Sequence, residues 1–277
     1  MAAEPDDPHV QRQRVRWCDD SHHDHVDDIA REEPLEIRIG GVSVAVVMRT
    51  PGHDEELALG FLATEGVVDE PGAIQSVRHC TVVDDPAAEN NVIQATLSPD
   101  VEVDLARLRR NLYASSSCGL CGKVTIDQVM TRCEPMHDDF RVSVSRLYEL
   151  PAKLREAQAV FSRTGGLHAA GLFSLEGEPL VVREDVGRHN AVDKVVGWAL
   201  RQGRLPLRDH VLMVSGRVSY ELALKAVAAG LPVIAAVSAP SSLAIDLATR
   251  AGLTLVAFVR DQTLNVYAGA QRVVGPS

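Results

Sequence analysis

The sequence predicts an α/β protein with a three-layer, mixed but largely parallel sheet covered on both faces, preceded by a small α+β domain. Three observations carry this. Beyond residue 167, short apolar runs alternate regularly with amphipathic ones. Before residue 111, a hairpin pattern, one helix pattern and further strand patterns follow without that alternation. The stretch Ala229-Gly230-Leu231-Pro232-Val233-Ile234-Ala235-Ala236-Val237 also recurs, at an offset of 22, as Ala251-Gly252-Leu253-Thr254-Leu255-Val256-Ala257-Phe258-Val259. Both copies read as helix end, glycine cap and buried strand, two solutions to one βα geometry.

The 277 residues suit one large domain or two modest ones. With 45% hydrophobic and 24% charged residues, the chain is an ordinary globular one, neither collagen-like nor a disulfide framework. The longest apolar stretch, 226–237, is interrupted by Gly230 and Pro232 and is too short to span a bilayer. The N-terminus has no apolar secretory core. Five cysteines, an odd number, read as reduced thiols in a cytoplasm. Net charge is −10, and residues 1–36 hold eleven Asp/Glu against four Lys/Arg. Most of the acidity is therefore local, and the chain has no general nucleic-acid footprint.

Four regions follow in order. Residues 1–28, with little apolar material and the cluster Ser21-His22-His23-Asp24-His25, read as a disordered acidic, His-rich tail, with weak metal binding as the sharper alternative. Residues 29–111 read as the small α+β domain. There, Leu35-Glu36-Ile37-Arg38-Ile39 alternates, Gly40-Gly41 turns, 42–48 returns, 54–65 is a helix closed by Gly66, and 74–83 and 92–97 are strands. Residues 112–137 read as a loop region. Residues 138–277 are the α/β domain: a helix over 151–163 with Pro151 in its first turn, a strand pair over 167–174 and 180–183, then helix 190–200, strand 211–214, helix 220–229, strand 233–237, helix 243–250 and strand 254–259. Right-handed crossovers place Ser215-Gly216-Arg217, residues 238–242 and residues 260–263 on one strand-end rim, where open α/β sheets bind ligands.

The loop region carries the strongest chemical signal, Ser117-Cys118-Gly119-Leu120-Cys121-Gly122-Lys123. Two cysteines so spaced let one sulfur resolve a persulfide or disulfide on the other. Gly119 and Gly122 remove steric cover, and the Lys123 cation favours a nearby thiolate. The spacing Cys118-x2-Cys121-x11-Cys133-x3-His137 also suits a structural zinc, which would make the chain a nucleotide-binding module. Against zinc, residues 124–130 read as the start of a helix and Glu134-Pro135 follows at once, so no bound metal is expected. Zinc deaminase chemistry is not expected, because neither Gly187-Arg188-His189-Asn190 nor Ser215-Gly216-Arg217-Val218-Ser219 supplies the ligands that its motifs require. The segment Glu184-Asp185-Val186-Gly187-Arg188-His189-Asn190 leads from strand to helix, with Asp185 or Asn190 as cap or buried network and free N–H groups suited to an anion.

The ordered set of these segments resembles the formate dehydrogenase accessory sulfurtransferase family, FdhD. The matching pieces are Thr50-Pro51-Gly52 with Gly60-Phe61-Leu62 and Glu65-Gly66; Ser117-Cys118-Gly119-Leu120-Cys121-Gly122; Thr164-Gly165-Gly166-Leu167-His168; Glu184 through Lys194; Val214-Ser215-Gly216-Arg217; Ser238-Ala239-Pro240-Ser241-Ser242; and Phe258 and Arg260 with Asn265-Val266-Tyr267. The resemblance implies a cytidine deaminase-like α/β domain, usually in a homodimer. It implies a sulfur carrier acting between a cysteine desulfurase and a molybdenum-dependent formate dehydrogenase, with the Mo-bis(molybdopterin guanine dinucleotide) cofactor as bound substrate and no nucleic-acid or membrane partner. By position, Cys118 matches the family's persulfide cysteine and Cys121 its partner, and Phe258, Val259, Arg260, Asp261, Gln262 and Thr263 match the cofactor-binding segment.

Overall fold

A computed structural model describes residues 7–68, 71–80, 89–101 and 140–276. The loop region with Cys118, Cys121, Cys133, His137 and Lys123 lies outside the described residues, so the persulfide and zinc readings are both argued from sequence.

Residues 9–30 differ from the expected disordered tail. His9–Cys18 (β1) and Ser21–Ala30 (β2) pair antiparallel through a turn in which Asp19 has φ 52°. The signal was charge rather than hydropathy. Arg12, Arg14 and Arg16 alternate along β1, while Asp24, Asp27 and Asp28 lie on β2. Arg14 Nε meets Asp27 Oδ2 at 2.8 Å across the pair. Opposite charges on facing strands thus favour pairing where apolar content is low. Arg163 holds the base of the ribbon through Asp28 at 2.9 Å.

Glu33–Ile39 (β3) and Val42–Arg49 (β4) form the expected hairpin. Gly40 and Gly41, at φ 56° and 81°, supply a turn that other residues would strain to make. Leu35, Ile37 and Ile39 point inward together. Ile74–His79 (β5) and Val92–Leu97 (β6) complete a four-stranded sheet in the order β4-β3-β6-β5. Asp54–Thr64 (α1) covers it with Leu57, Phe61 and Leu62.

The single helix expected over 151–163 is two, Val144–Glu156 (α2) and Ala159–Thr164 (α3). Pro151 stands inside α2 rather than in a first turn, and the inner stripe is Leu147, Leu150 and Leu154. Ala157 is exposed and Phe161 half-buried, so neither belongs to that stripe.

Two short strands, Val142–Ser143 (β7) and Val273–Val274 (β14), pair parallel at the margin. The main sheet comprises His168–Ser174 (β8), Pro179–Asp185 (β9), His210–Val214 (β10), Val233–Ala236 (β11), Thr254–Arg260 (β12) and Thr263–Ala268 (β13) in the order β13-β12-β11-β10-β8-β9. Only β10–β11 and β11–β12 pair parallel; β8–β9, β8–β10 and β12–β13 are antiparallel. The sheet is therefore mixed rather than largely parallel. The reason is that the Glu176-Gly177 and Asp261-Gln262 connections are too short for crossovers and must reverse the chain. Arg188–Arg201 (α4), Tyr220–Ala228 (α5) and Ser242–Ala251 (α6) cover one face over Leu172, Leu212, Ile234 and Leu255. Helix α2 covers the other over Phe173, Met213, Ala235 and Val256, which gives the three layers.

The small sheet is fastened to this body where α1 crosses α4. A Cβ on Gly60 would lie 1.7 Å from the Asp193 carbonyl oxygen, and one on Gly197 would lie 1.8 Å from that of Glu56. Beside the crossing, the Lys225 Nζ donates to Asp193 at 2.9 and 3.0 Å and to the Thr64 Oγ1 at 2.8 Å. Burial of Lys225 disfavours its charge, but the Asp193 and Glu65 carboxylates outweigh this and raise its pKa. At the other end of α1, Asp54 accepts three bonds from Arg49 and Glu56 two from Arg183.

Candidate functional site

The expected rim forms. Ser215 N donates to the Ala169 carbonyl at 3.0 Å, and Ala169 N donates to the Ser215 Oγ at 2.9 Å, so the loop after β10 is tied to β8. Val218 N donates to the Ala239 carbonyl and Ser241 N to the Val218 carbonyl, joining that loop to the one after β11. Phe258 N donates to the Ser238 carbonyl at 3.3 Å and brings in the end of β12. Three strand ends thus share one edge.

The helix N-termini on this rim are not alike. Ser219 caps α5 by accepting from Leu222 N, and Ser241 caps α6 by accepting from Ala244 N. The N-cap of α4 is Gly187, with no side-chain cap. Neither Asp185 nor Asn190 takes that role. The Asp185 carboxylate instead accepts from Thr50 N, Lys194 Nζ, Gly187 N and Asn190 Nδ2 at 2.8–3.1 Å. Lys194 also donates to the Thr50 carbonyl at 2.9 Å, and Asn190 to that of Met48 at 2.7 Å. This buried network locks the strand-to-helix turn against the hairpin of the small sheet.

Above the network, His168, Arg188, His189 and Gly216 converge. A Cβ on Gly216 would lie 3.4 Å from the His168 Nδ1 and 3.9 Å from the Arg188 Cδ. Burial holds the His168 imidazole below its ordinary pKa, and Arg188 and His189 push it the same way while Asp185 opposes. His189 Nε2 lies 3.1 Å from the Glu221 Oε2 and 3.4 Å from the Ser219 Oγ. Because serine and carboxylate meet the same ring nitrogen, this is no relay that would activate the hydroxyl.

The segment 258–263 divides. Val259 is buried on the α2 face, Phe258 is half-buried, and Arg260, Asp261, Gln262 and Thr263 are exposed. The Arg260 guanidinium carbon stands 5.8 Å from the Phe258 ring centre. The β12–β13 register shifts between Ala257 and Arg260, and Phe258 and Asp261 adopt φ 53° and 49°. A left-handed backbone at a bulky residue is a strained conformation of the kind that collects at functional sites. No sequence pattern marked it. Arg217 is exposed on the same rim. Among the described residues, no group of three or more His, Cys, Asp or Glu is placed to hold a metal ion, the His22–His25 region included. None of the described helices is long and apolar enough to cross a membrane. Of the cysteines in the described residues, Cys18 is exposed and Cys80 half-buried, both as free thiols.

Fold and rim together define a mixed α/β protein with a polar rim, bearing the exposed Arg217 and Arg260, at the ends of its parallel strands. The chain belongs to the FdhD/NarQ family, whose model matches residues 30–274. It is 54% identical to the sulfur carrier protein FdhD of Mycolicibacterium paratuberculosis, over 87% of this chain and 90% of that one. It is 52% identical to the sulfur carrier protein FdhD of Streptomyces avermitilis, over 95% of each. Its fold matches that of a candidate formate dehydrogenase accessory protein from Desulfotalea psychrophila, with a TM-score of 0.76, 24% identity, and 97% of this chain and 100% of that one covered.

Proposed function

We propose that this protein is a cytoplasmic, homodimeric sulfur carrier. It accepts sulfane sulfur from a cysteine desulfurase and delivers it to the Mo-bis(molybdopterin guanine dinucleotide) cofactor, as substrate, before that cofactor enters a molybdenum-dependent formate dehydrogenase. The observation that carries the reading is the 54% identity to a named sulfur carrier along nine-tenths of that protein's length. The cysteine pair supplies suitable chemistry. The Cys118 thiolate attacks the terminal sulfur of the desulfurase persulfide, a new S–S bond forms on Cys118, and the desulfurase thiolate leaves, with no net change in oxidation. Attack by the Cys121 thiolate on the inner Cys118 sulfur then releases hydrosulfide and leaves a Cys118–Cys121 disulfide, so the pair supplies the two electrons that sulfane sulfur needs to become sulfide. The rim, with Phe258, Val259, Arg260, Asp261, Gln262 and Thr263 at its edge, is the proposed seat of a guanine nucleotide end of the cofactor. The parallel strands β10, β11 and β12 with their intervening helices support a cytidine deaminase-like relationship for the body.

Intact-mass spectrometry after incubation with a cysteine desulfurase and cysteine tests the carrier step. The expected product is the chain plus one sulfur atom, absent from Cys118→Ala and removed by reductant. Unchanged uptake by Cys118→Ala would overturn the assignment.

A further inference from the structure

We propose that the β1–β2 ribbon is an exchange arm, whose apolar face packs on the outer face of the small sheet in a second copy of this chain. This rests on the homodimeric reading and assigns its contact surface. Residues directly opposite in an antiparallel pair share a face. The register therefore places Val15 and Trp17 with Val26 and Asp24 on one face of the ribbon, and Arg12, Arg14 and Arg16 with His23 and His25 on the other. The first face is apolar and uncovered: Trp17 is 66% exposed, Val26 62% and Val15 55%. The second is cationic and keeps the arm hydrated. The base of the arm is fixed. Arg31 N donates to the Pro8 carbonyl at 2.9 Å, and the Asp28 carboxylate accepts from Arg163 at 2.9 and 3.2 Å. The arm is thus a built projection that presents its apolar face to solvent.

The same chain carries the complementary surface. Leu35 and Ile37 of β3 are buried under α1, so alternation turns Pro34 and Glu36 outward, with Met48 and Val46 of the edge strand β4 opposite them. A solvated sheet face is ordinarily polar. Here Val46 is 63% and Met48 50% exposed, on an edge where uncovered apolar side chains invite association. Farther along this face Gln94 of β6 stands between Arg38 and the exposed Arg78, which gives the arm's Asp24 a cation to meet. Six of the eight large apolar side chains exposed among the described residues lie on the ribbon or on β4, so they form two patches rather than a scatter. Both patches are open in the single chain, and therefore neither covers the other there. A twofold axis lets each arm reach the other copy's sheet and makes the contact twice. A two-stranded face of ten residues is about 34 Å long and about 10 Å wide. Two such arms, each with the surface that receives it, bury on the order of 1,300 Å², which meets the roughly 1,200–2,000 Å² of a stable interface.

Size-exclusion chromatography with light scattering on the full chain, over a range of concentrations, tests this. Wild type is expected to run as a dimer. Trp17→Ser and Val46→Lys, on the two proposed partners, are each expected to raise the dimer dissociation constant by about tenfold or more, as for loss of a buried anchor. Arg16→Ser, on the cationic face, is expected to leave it within about twofold. Photo-crosslinking from p-benzoylphenylalanine at position 17, in a mixture of isotopically light and heavy chains, is expected to join the arm of one chain to residues 42–49 of the other. If Val46→Lys fails to fold by circular dichroism, Trp17→Ser and the crosslink carry the test. A wild-type dimer that both variants leave intact, with crosslinks elsewhere or only within one chain, overturns the arm contact and leaves the homodimeric reading standing. A monomeric wild type overturns both.

Discussion

The α1–α4 crossing and the strand-end rim lie at opposite extremes of how a protein uses polar groups. At the crossing, Asp193, Lys225 and Thr64 satisfy one another inside the core, and two glycines bring backbones into contact. On the rim, the Arg188 Nε has no partner among the described residues, Phe258 has a left-handed backbone, and Arg217 and Arg260 face solvent. The crossing holds the small sheet to the body and tolerates no added atom. The rim carries one unsatisfied donor and backbone strain, which stability alone would not select. Strain and a spare donor in one place, beside paired charges in another, are a physical pointer to where a ligand goes.

Substitution at the crossing should have the largest effect. Gly60→Ala drives a methyl into the Asp193 carbonyl, so α1 must move off α4; loss of about 3 kcal/mol or more, or failure to fold, is expected in thermal denaturation. A Tm within a few degrees of wild type would mean that the two helices slide apart cheaply. Next is Lys225→Met, which strands the buried Asp193 charge and should cost about 3–5 kcal/mol in urea unfolding. Adding Asp193→Leu should recover most of that loss, because the double variant removes both charges; no recovery would show that the pair does not act as a unit.

The rim should respond in the opposite manner. Arg260→Ala is expected to leave stability within about 0.5 kcal/mol of wild type. Calorimetric GDP binding should nevertheless weaken by about 1.5–3 kcal/mol if a charge-assisted hydrogen bond is lost. A fall in stability without a change in binding would erase the contrast between the two regions. The smallest effect is that of pH. Burial lowers the pKa of His168 and of His210 below the ordinary value. On acidification the unfolded chain takes up these protons first. The contribution is therefore full above the unfolded-state pKa of about 6.5 and is lost as pH falls through the folded-state values. Urea unfolding at pH 7 and pH 5.5 should show the lower stability at pH 5.5, and His168→Gln should reduce the difference.

Much of the element order was legible in local pattern. The β3–β4 hairpin, α1, β6, and the run from β8 to β12 lie where periodicity and glycine turns place them, because both signals act within a few residues. The failures have different causes. Residues 9–30 look unstructured by hydropathy, yet pair through alternating arginines facing aspartates. Pro151 was read as a helix start because proline favours a first turn, yet α2 holds it in an interior position with Leu147, Leu150 and Leu154 packed on the sheet.

The sequence by itself determined the alternation of strands and helices, the family motifs, the convergence of three strand ends, and the cysteine pair at Cys118 and Cys121. All of these are matters of residue type and spacing. The tertiary structure decided which polar residues are spent and which are spare. Asp185, Asn190 and Lys194 look as functional in sequence as Arg188 and His168, but contacts to Thr50 and Met48, more than 130 residues away, consume the first three. The strain at Phe258 arises in the same way, from a bulge fixed by β13 and by the Ser238 carbonyl. Hydrogen-bond satisfaction and backbone strain are properties of neighbours in space, and distant segments supply those neighbours only after the chain has folded.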